Sequence, residues 1–349
     1  MSYNFRANFY SELLRTTLES CRRSNEKHIK NTTNSANNLV EEHLVKLITT
    51  RLPLTDQKLI SKFVNARLRG LNAARQGNLM AAECAFIEAR IPLQLNKFSL
   101  EGSLLYESLL EQSQSYLDYR RGDFDKARNR IFKAIANDVV LEEKYGYEIL
   151  FLHRIHLAHN LVRIDAQRKC FQGALELACQ ILSYLEGVSE LLPIPGIWGY
   201  ELVARQSPEL VAVMFAEITS EVAIILAGQN RQLARHLFAV SFAYFHLETD
   251  DYRHCHPQAY FWLLIKQAFL NNDFATFLGR ASNFLAFGRA DTPVLWYATL
   301  IDLITLCDEF ALPDSELVRR EVASSMVTWE KLPQKFSSLL CNCANAAAV

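Results

Sequence analysis

Apolar residues recur at i, i+3, i+4 and i+7 through nearly every long segment of the chain, the spacing that lines one face of a 3.6-residue helix. No run alternates strictly between apolar and polar residues inside turn signals, so the pattern predicts an all-α protein. Its first element covers about residues 5 to 23, with Phe5, Phe9, Leu13 and Cys21 along one side. The polar stretch from Ser24 to Asn38 lacks the period and reads as a mobile loop. Helical spacing resumes from Val40 to Leu52, stops at Pro53, and starts again behind Thr55, whose hydroxyl suits an N-cap. The longest apolar stretch, Leu210 to Gly228, carries Glu217 and Glu221 at its centre. A charge in mid-bilayer costs about 2.5 to 3.5 kcal/mol, which predicts a buried helix here and not a membrane span.

One phrase recurs. Residues 75–89, with Gly77, Asn78, Ala82, Phe86 and Ala89, are answered by residues 120–134, with Gly122, Asp123, Phe124, Ala127 and Ala134. Each copy reads as helix, tight turn, helix: Gly ends the first helix in a left-handed conformation, Asn or Asp caps the second, and small residues let the two pack closely. The phrase resembles the tetratricopeptide repeat family, whose consensus has small residues at Gly70 and Ala82, Gly at Gly77, an aromatic at Phe86, Ala at Ala89 and Pro near Pro92. The second copy has Ser115 for the first small residue and Ile131 for the aromatic. Weaker copies follow around Ala174, Ala234 and Phe277, so that Ala82, Ala127, Ala174, Ala234 and Phe277 stand 45, 47, 60 and 43 residues apart. The family period is about 34, and the excess implies longer helices or insertions. The 60-residue step holds the Pro/Gly cluster between Leu191 and Tyr200, which marks a long loop.

The resemblance implies an α-α superhelix, a solenoid of antiparallel helical hairpins over residues 53–311. Residues 1–52 are expected to form N-terminal capping helices with the loop near 24–38, and residues 312–349 C-terminal capping helices and a tail.

Composition narrows the function classes. Half of the 349 residues are hydrophobic and 21% are charged, which excludes a disordered chain; 12 Gly and 9 Pro leave few turns. A net charge of −1 argues against nucleic acid and anionic membranes as partners. The charge is uneven: residues 1–145 hold 22 basic and 17 acidic residues, the remainder 15 and 21. Eight cysteines scattered through apolar helical patterns read as reduced thiols, and no apolar leader follows Met1, so a soluble cytoplasmic protein is expected.

Catalytic signatures are missing: there is no Gly-x-Ser-x-Gly, phosphate loop, Rossmann glycine set or His-Glu-x-x-His. His153, His156 and His159 stand at i, i+3 and i+6, but the outer two are about 120° apart around a helix, too wide for one metal. His254, Cys255 and His256 are adjacent and point apart; Cys341 and Cys343 lie in a terminal tail. Glu217 and Glu221 share a helix face without a partner motif, which suits pairing with Arg231 or Arg235 better than catalysis. No metal, cofactor or enzymatic role is therefore expected.

If the first helix of each hairpin lines a concave surface, as the resemblance implies, the inward residues are Arg67, Arg75, Tyr116, Arg120, His156, His159 and Arg163, with Leu71 and Gln112 among them. A basic surface with an aromatic between cations suits an acidic protein segment or peptide, gripped through Arg. The expected function is a non-enzymatic helical-repeat adaptor that binds a protein or peptide. A peptide- or small-ligand-responsive regulator and an all-helical enzyme with a dispersed site are the alternatives.

Overall fold

The computed structural model describes residues 2–25, 36–95, 97–243, 245, 247, 254–289, 291–310, 315–326, 329 and 332–346. Among them are sixteen α-helices and no strand. In chain order these are α1 (Ser2–Asn25), α2 (Ala36–Arg51), α3 (Leu54–Arg75), α4 (Leu79–Gln94), α5 (Leu100–Arg121), α6 (Phe124–Tyr145), α7 (Leu150–Gln167) and α8 (Phe171–Leu185). After the long loop come α9 (Tyr200–Ala204), α10 (Pro208–Ala227), α11 (Arg231–Ser241), α12 (Pro257–Leu270), α13 (Phe274–Phe287), α14 (Pro293–Phe310), α15 (Ser315–Met326) and α16 (Gln334–Ala346). The chain divides into two compact units, Ser35–Leu210 and a second made of Met1–Asn34 with Val211–Val349.

A single turn geometry builds four of the hairpins. Gly77, Gly122, Lys169 and Asn272 have φ of 82°, 80°, 65° and 64°. The residues that follow, Asn78, Asp123, Cys170 and Asp273, have φ between −82° and −86°. In each case that second residue donates its N–H back to a carbonyl five residues earlier: Asn78 to Ala73 at 2.9 Å, Asp123 to Asp118 at 3.0 Å, Cys170 to Asp165 at 2.9 Å, Asp273 to Ala268 at 3.0 Å. This closes the first helix and aims the chain into the second. Asn78, Asp123 and Asp273 then cap the next helix, accepting from Ala81, Lys126 and Thr276 N–H at 3.2, 3.3 and 3.2 Å. Cys170 makes no side-chain cap.

Within Ser35–Leu210, α3 packs on α4, α5 on α6 and α7 on α8, while α3 also touches α5. Phe86 comes so close to Gly70 that a Cβ there would lie 2.9 Å from its ring, which explains the small residue at that position. Ala82, Phe86, Ala89, Ala127, Ile131 and Ala134 are all at most 1% exposed. Thr55 is not the N-cap of α3. That helix starts two residues sooner, behind Pro53, without a side-chain cap, because Pro already fixes the φ that leads into the helix.

In the second unit α1 packs along α13, Thr17 Oγ1 donating to the Leu278 carbonyl at 3.3 Å and the Ser20 and Ser282 hydroxyls bonding at 3.0 Å. Its buried seam is Leu14, Thr17, Leu18 and Cys21, with Leu13 at the edge, because residues three and four apart share a helix face. The first 52 residues are thus split, α1 going to one unit and α2 to the other. Most of the expected loop at 24–38, residues 26–35, lies outside the described residues, and α2 begins within it at Ala36. α15 and α16 pack on α14 and on each other. α10 is long and apolar enough to span a bilayer, and 61% of its apolar window is buried inside the protein.

Candidate functional site

The surface that α3 and α5 share is set by three links in the same order along both helices. Near their starts, Asp56 accepts from the Ser99 N–H at 3.2 Å and from its hydroxyl, and Gly102 sits against the Asp56 carboxylate where no Cβ would fit. Halfway, Arg67 Nη1 donates to Ser113 Oγ at 3.0 Å. At the ends, Arg120 Nη1 donates to the Arg75 carbonyl at 3.1 Å. The two helices therefore run parallel, offset by about one 45-residue repeat.

Arg120 lies at the C-terminal end of α3, where unpaired carbonyls and the helix dipole favour a cation. It also donates to the Tyr116 hydroxyl at 3.3 Å and lies 6.0 Å from that ring, and Tyr116 stacks on Tyr119 at 6.0 Å. Arg75 and Arg120 are exposed, and among the described residues neither has a carboxylate partner. The cations around them differ: Arg69 pairs with Glu88, Arg121 with Glu83 and Arg90 with Glu111, each at 2.7 Å.

Behind this surface lies a buried polar layer that the sequence reading missed. Glu111, Gln114 and Asp118 stand at i, i+3 and i+7 on α5, each at most 8% exposed. Arg130 of α6 reaches Asp118, Glu111 and Gln114 at 2.5, 2.5 and 2.8 Å, and Arg90 of α4 reaches Glu111 and Gln114 from the other side. Burial pushes the Glu111 carboxyl up, but hydrogen bonds from Arg90 and Arg130 overcome it and hold the carboxyl below its ordinary range. The layer clamps α5 between its neighbours and so fixes where Tyr116 and Arg120 point. The sequence carries only half of that signal: Glu111 and Asp118, seven residues apart on one face of α5, are visible in it, whereas Arg90 and Arg130 become their neighbours through packing alone.

The α7 residues sit deeper than expected. His153 Nδ1 faces Asp138 Oδ2 at 2.7 Å, its Nε2 meets Gln112 Oε1 at 3.2 Å, and Ser108 Oγ donates to Asp138 Oδ1 at 2.6 Å. Serine bonds to the aspartate here and not to the histidine, and all three are at most 2% exposed, so the group joins α5, α6 and α7 without the geometry of a nucleophile and its base. His159 is 2% exposed, whereas His156 and Arg163 are half-buried. Burial lowers the pKa of His156 to about 3 and that of His159 well below its ordinary value, so neither carries charge at neutral pH. The open, charged part of the expected surface is Arg75 and Arg120, with Arg67 and Tyr116 half-buried beside them.

Elsewhere, Arg154 and Glu142 form a buried pair at 2.8 Å that anchors the long loop. Arg154 donates to the Pro195 and Ile197 carbonyls at 2.7 and 2.8 Å and lies 4.0 Å from the Trp198 ring. A cavity of about 320 Å³ opens beside Leu47, Arg51, Tyr147, Ile149 and Phe151. Arg51 stacks on Tyr147 at 5.0 Å there and donates to the Tyr145 carbonyl at 2.6 Å. Arg205, at the rim, pairs with Glu148 at 2.6 Å.

Arg231, a suggested partner for Glu217 and Glu221, instead bonds Glu309, Asn272 and the Phe269 carbonyl. His256 caps α12 and His254 stacks on Tyr260; the side chains of Cys341 and Cys343 lie outside the described residues. Among the described residues no three His, Cys, Asp or Glu converge as metal ligands. No family model, no curated protein and no solved structure matches the chain.

Proposed function

We propose that the protein is a non-catalytic, tetratricopeptide-like helical-repeat protein that binds an acidic peptide segment on the α3–α5 face. The observation that carries the reading is the contrast in charge pairing. Arg75 and Arg120 are exposed on adjacent parallel helices with no carboxylate partner among the described residues, while Arg69, Arg90, Arg121 and Arg130 nearby are all ion-paired. A peptide carboxylate takes the place that no side chain among the described residues fills, and bidentate Arg contact gives it direction. Tyr116 and Tyr119 offer flat apolar area beside the cations at low entropic cost.

The test is fluorescence anisotropy with a labelled peptide rich in Asp and Glu and its Asn/Gln counterpart. Wild type binds the acidic peptide alone, more weakly as salt rises. Arg75→Glu with Arg120→Glu loses at least about tenfold in affinity at unchanged helicity. Equal binding of both peptides, or a double variant that binds as wild type, overturns the reading.

The cavity beside Arg51 favours a second reading, a regulator that responds to a small ligand. About 320 Å³ is at the lower end of small-molecule sites, and apolar Leu47, Ile149 and Phe151 with a cation suit an organic anion. A rise in melting temperature with short-chain carboxylates, lost in Arg51→Met, would support it; no shift removes it.

A further inference from the structure

Residues 288–292 join α13 to α14, and two of them, Arg289 and Thr292, bury polar atoms that bond to nothing among the described residues. Gly288, at φ 92°, turns the chain out of α13. Behind it the Leu285 carbonyl accepts the Gly288 N–H at 3.2 Å and the Trp296 indole N–H at 3.3 Å, which seats Trp296 at the end of α13. Thr292 stands just before α14, its carbonyl taking the Trp296 N–H at 3.0 Å as the first bond of the helix. A Thr in that place, ahead of Pro at the first helical residue, ordinarily turns its hydroxyl onto the N–H groups of the first turn. Thr292 is 2% exposed, and its Oγ1 makes no such bond. The Val294 and Leu295 N–H groups beside it have no carbonyl one turn back within the helix, and Leu295 is fully buried.

Arg289 brings a cation to the same turn. Its guanidinium carbon lies 5.5 Å from the Trp296 ring, and its Nη1 is buried and likewise unbonded. The groups around it do not neutralise it. Burial pushes the Cys21 thiol up to about 12 although the guanidinium favours its ionisation, so the thiol stays neutral. Glu321, the carboxylate that acts on the same thiol, is held by Arg22 at 2.8 Å. Asp291 is exposed, and its charge acts on His256. Buried donors and an uncompensated guanidinium at the positive end of a helix are the setting in which an anion binds. We propose that Arg289, Thr292 and the first turn of α14 hold one chloride ion. One guanidinium and one helix end compensate a single negative charge, so a dianion such as phosphate would leave charge unpaired in a buried place. A halide accepts hydrogen bonds from any direction, which suits a hydroxyl, backbone N–H groups and a guanidinium that come from different residues.

Urea unfolding of the full chain at constant ionic strength, with sodium chloride replacing sodium gluconate, tests this. Chloride raises the midpoint and then saturates, multiplying the folding equilibrium about tenfold at ten times its dissociation constant. Arg289→Gln and Thr292→Val, at wild-type helicity, each lose that dependence, whereas Asp291→Asn, at the exposed neighbour, keeps it. Crystals of the wild-type chain grown in sodium bromide show an anomalous scatterer within hydrogen-bond reach of Thr292 Oγ1 and Arg289 Nη1, which a water in that place does not give. This second experiment decides the matter even where a variant fails to fold. Stability indifferent to chloride, a chloride dependence that survives Arg289→Gln or Thr292→Val, or a bromide map without a peak at this turn overturns the proposal. Sodium formate that stabilises as well as chloride overturns it too, since the turn then takes carboxylates and not a halide.

Discussion

Lys169 holds a left-handed backbone, φ 65°, that Gly occupies in the two preceding hairpins, and Cys170 stands where they have Asn or Asp. A side chain in that conformation costs roughly 1 kcal/mol, so Lys169→Gly is expected to raise stability by about 0.5 to 1 kcal/mol. Cys170→Asp adds the missing cap and about 1 kcal/mol. As neighbours in one turn the two need not add, and urea midpoints of the singles and the double measure their coupling. His156 sets a pH dependence of definite sign. An unfolded histidine takes up its proton near pH 6.5, whereas the folded one, desolvated beside His153 and Arg163, waits until about 3. Across that window the unfolded state binds more protons, so this contribution to stability is complete above pH 6.5 and is lost as pH falls. His156→Gln should flatten the fall in urea midpoint between pH 6.5 and 4 relative to wild type.

At the scale of elements, the loop between α8 and α9 is held by one buried ion pair. Arg154 is 0% exposed, Glu142 accepts the Ile197 N–H at 3.4 Å as well as the guanidinium, and Gly196, at φ 130°, leaves the space that the guanidinium fills. Removing one partner strands a buried charge, so Arg154→Met is expected to cost about 3 to 5 kcal/mol, and adding Glu142→Leu to recover much of it. Denaturation of the two variants checks this, and amide exchange at Ile197 tells whether the loop is released. The same elements show what sequence could convey. The first two hairpins were legible because Gly followed by Asn or Asp states the turn outright; the third shares their backbone but is written Lys169-Cys170, with neither residue type to announce it. Arg75, Tyr116 and Arg120 came from projecting that register. The Glu111–Asp118 layer did not, since its partners Arg90 and Arg130 lie on other helices and only packing makes them neighbours. His159 was misplaced for the complementary reason: spacing puts a residue on a face, but neighbouring elements decide whether that face meets water.

For the whole molecule, the division into Ser35–Leu210 and the discontinuous unit of Met1–Asn34 with Val211–Val349 has an energetic consequence. The second unit is closed by α1, more than two hundred residues away in sequence from the α13 on which it packs, and ordering so remote a segment brings a loop-closure cost that the burial of Leu14 and Leu18 must exceed. Leu18 is 2% exposed, and Leu18→Ala should cost about 2 to 5 kcal/mol, through lost burial and the cavity left behind. Compact units open separately where their contacts are mostly internal. Native-state amide exchange followed peptide by peptide is therefore expected to show protection falling in α1 and α13 of Leu18→Ala, with α5 and α6 unchanged. Tryptophan emission should follow the weakened unit, since Trp262, Trp296 and Trp329 belong to it and Trp198 alone lies in the other. An equal loss of protection in α5 and α6 would mean that the chain opens as one cooperative block, and the α3–α5 surface would then depend on α1 for its stability.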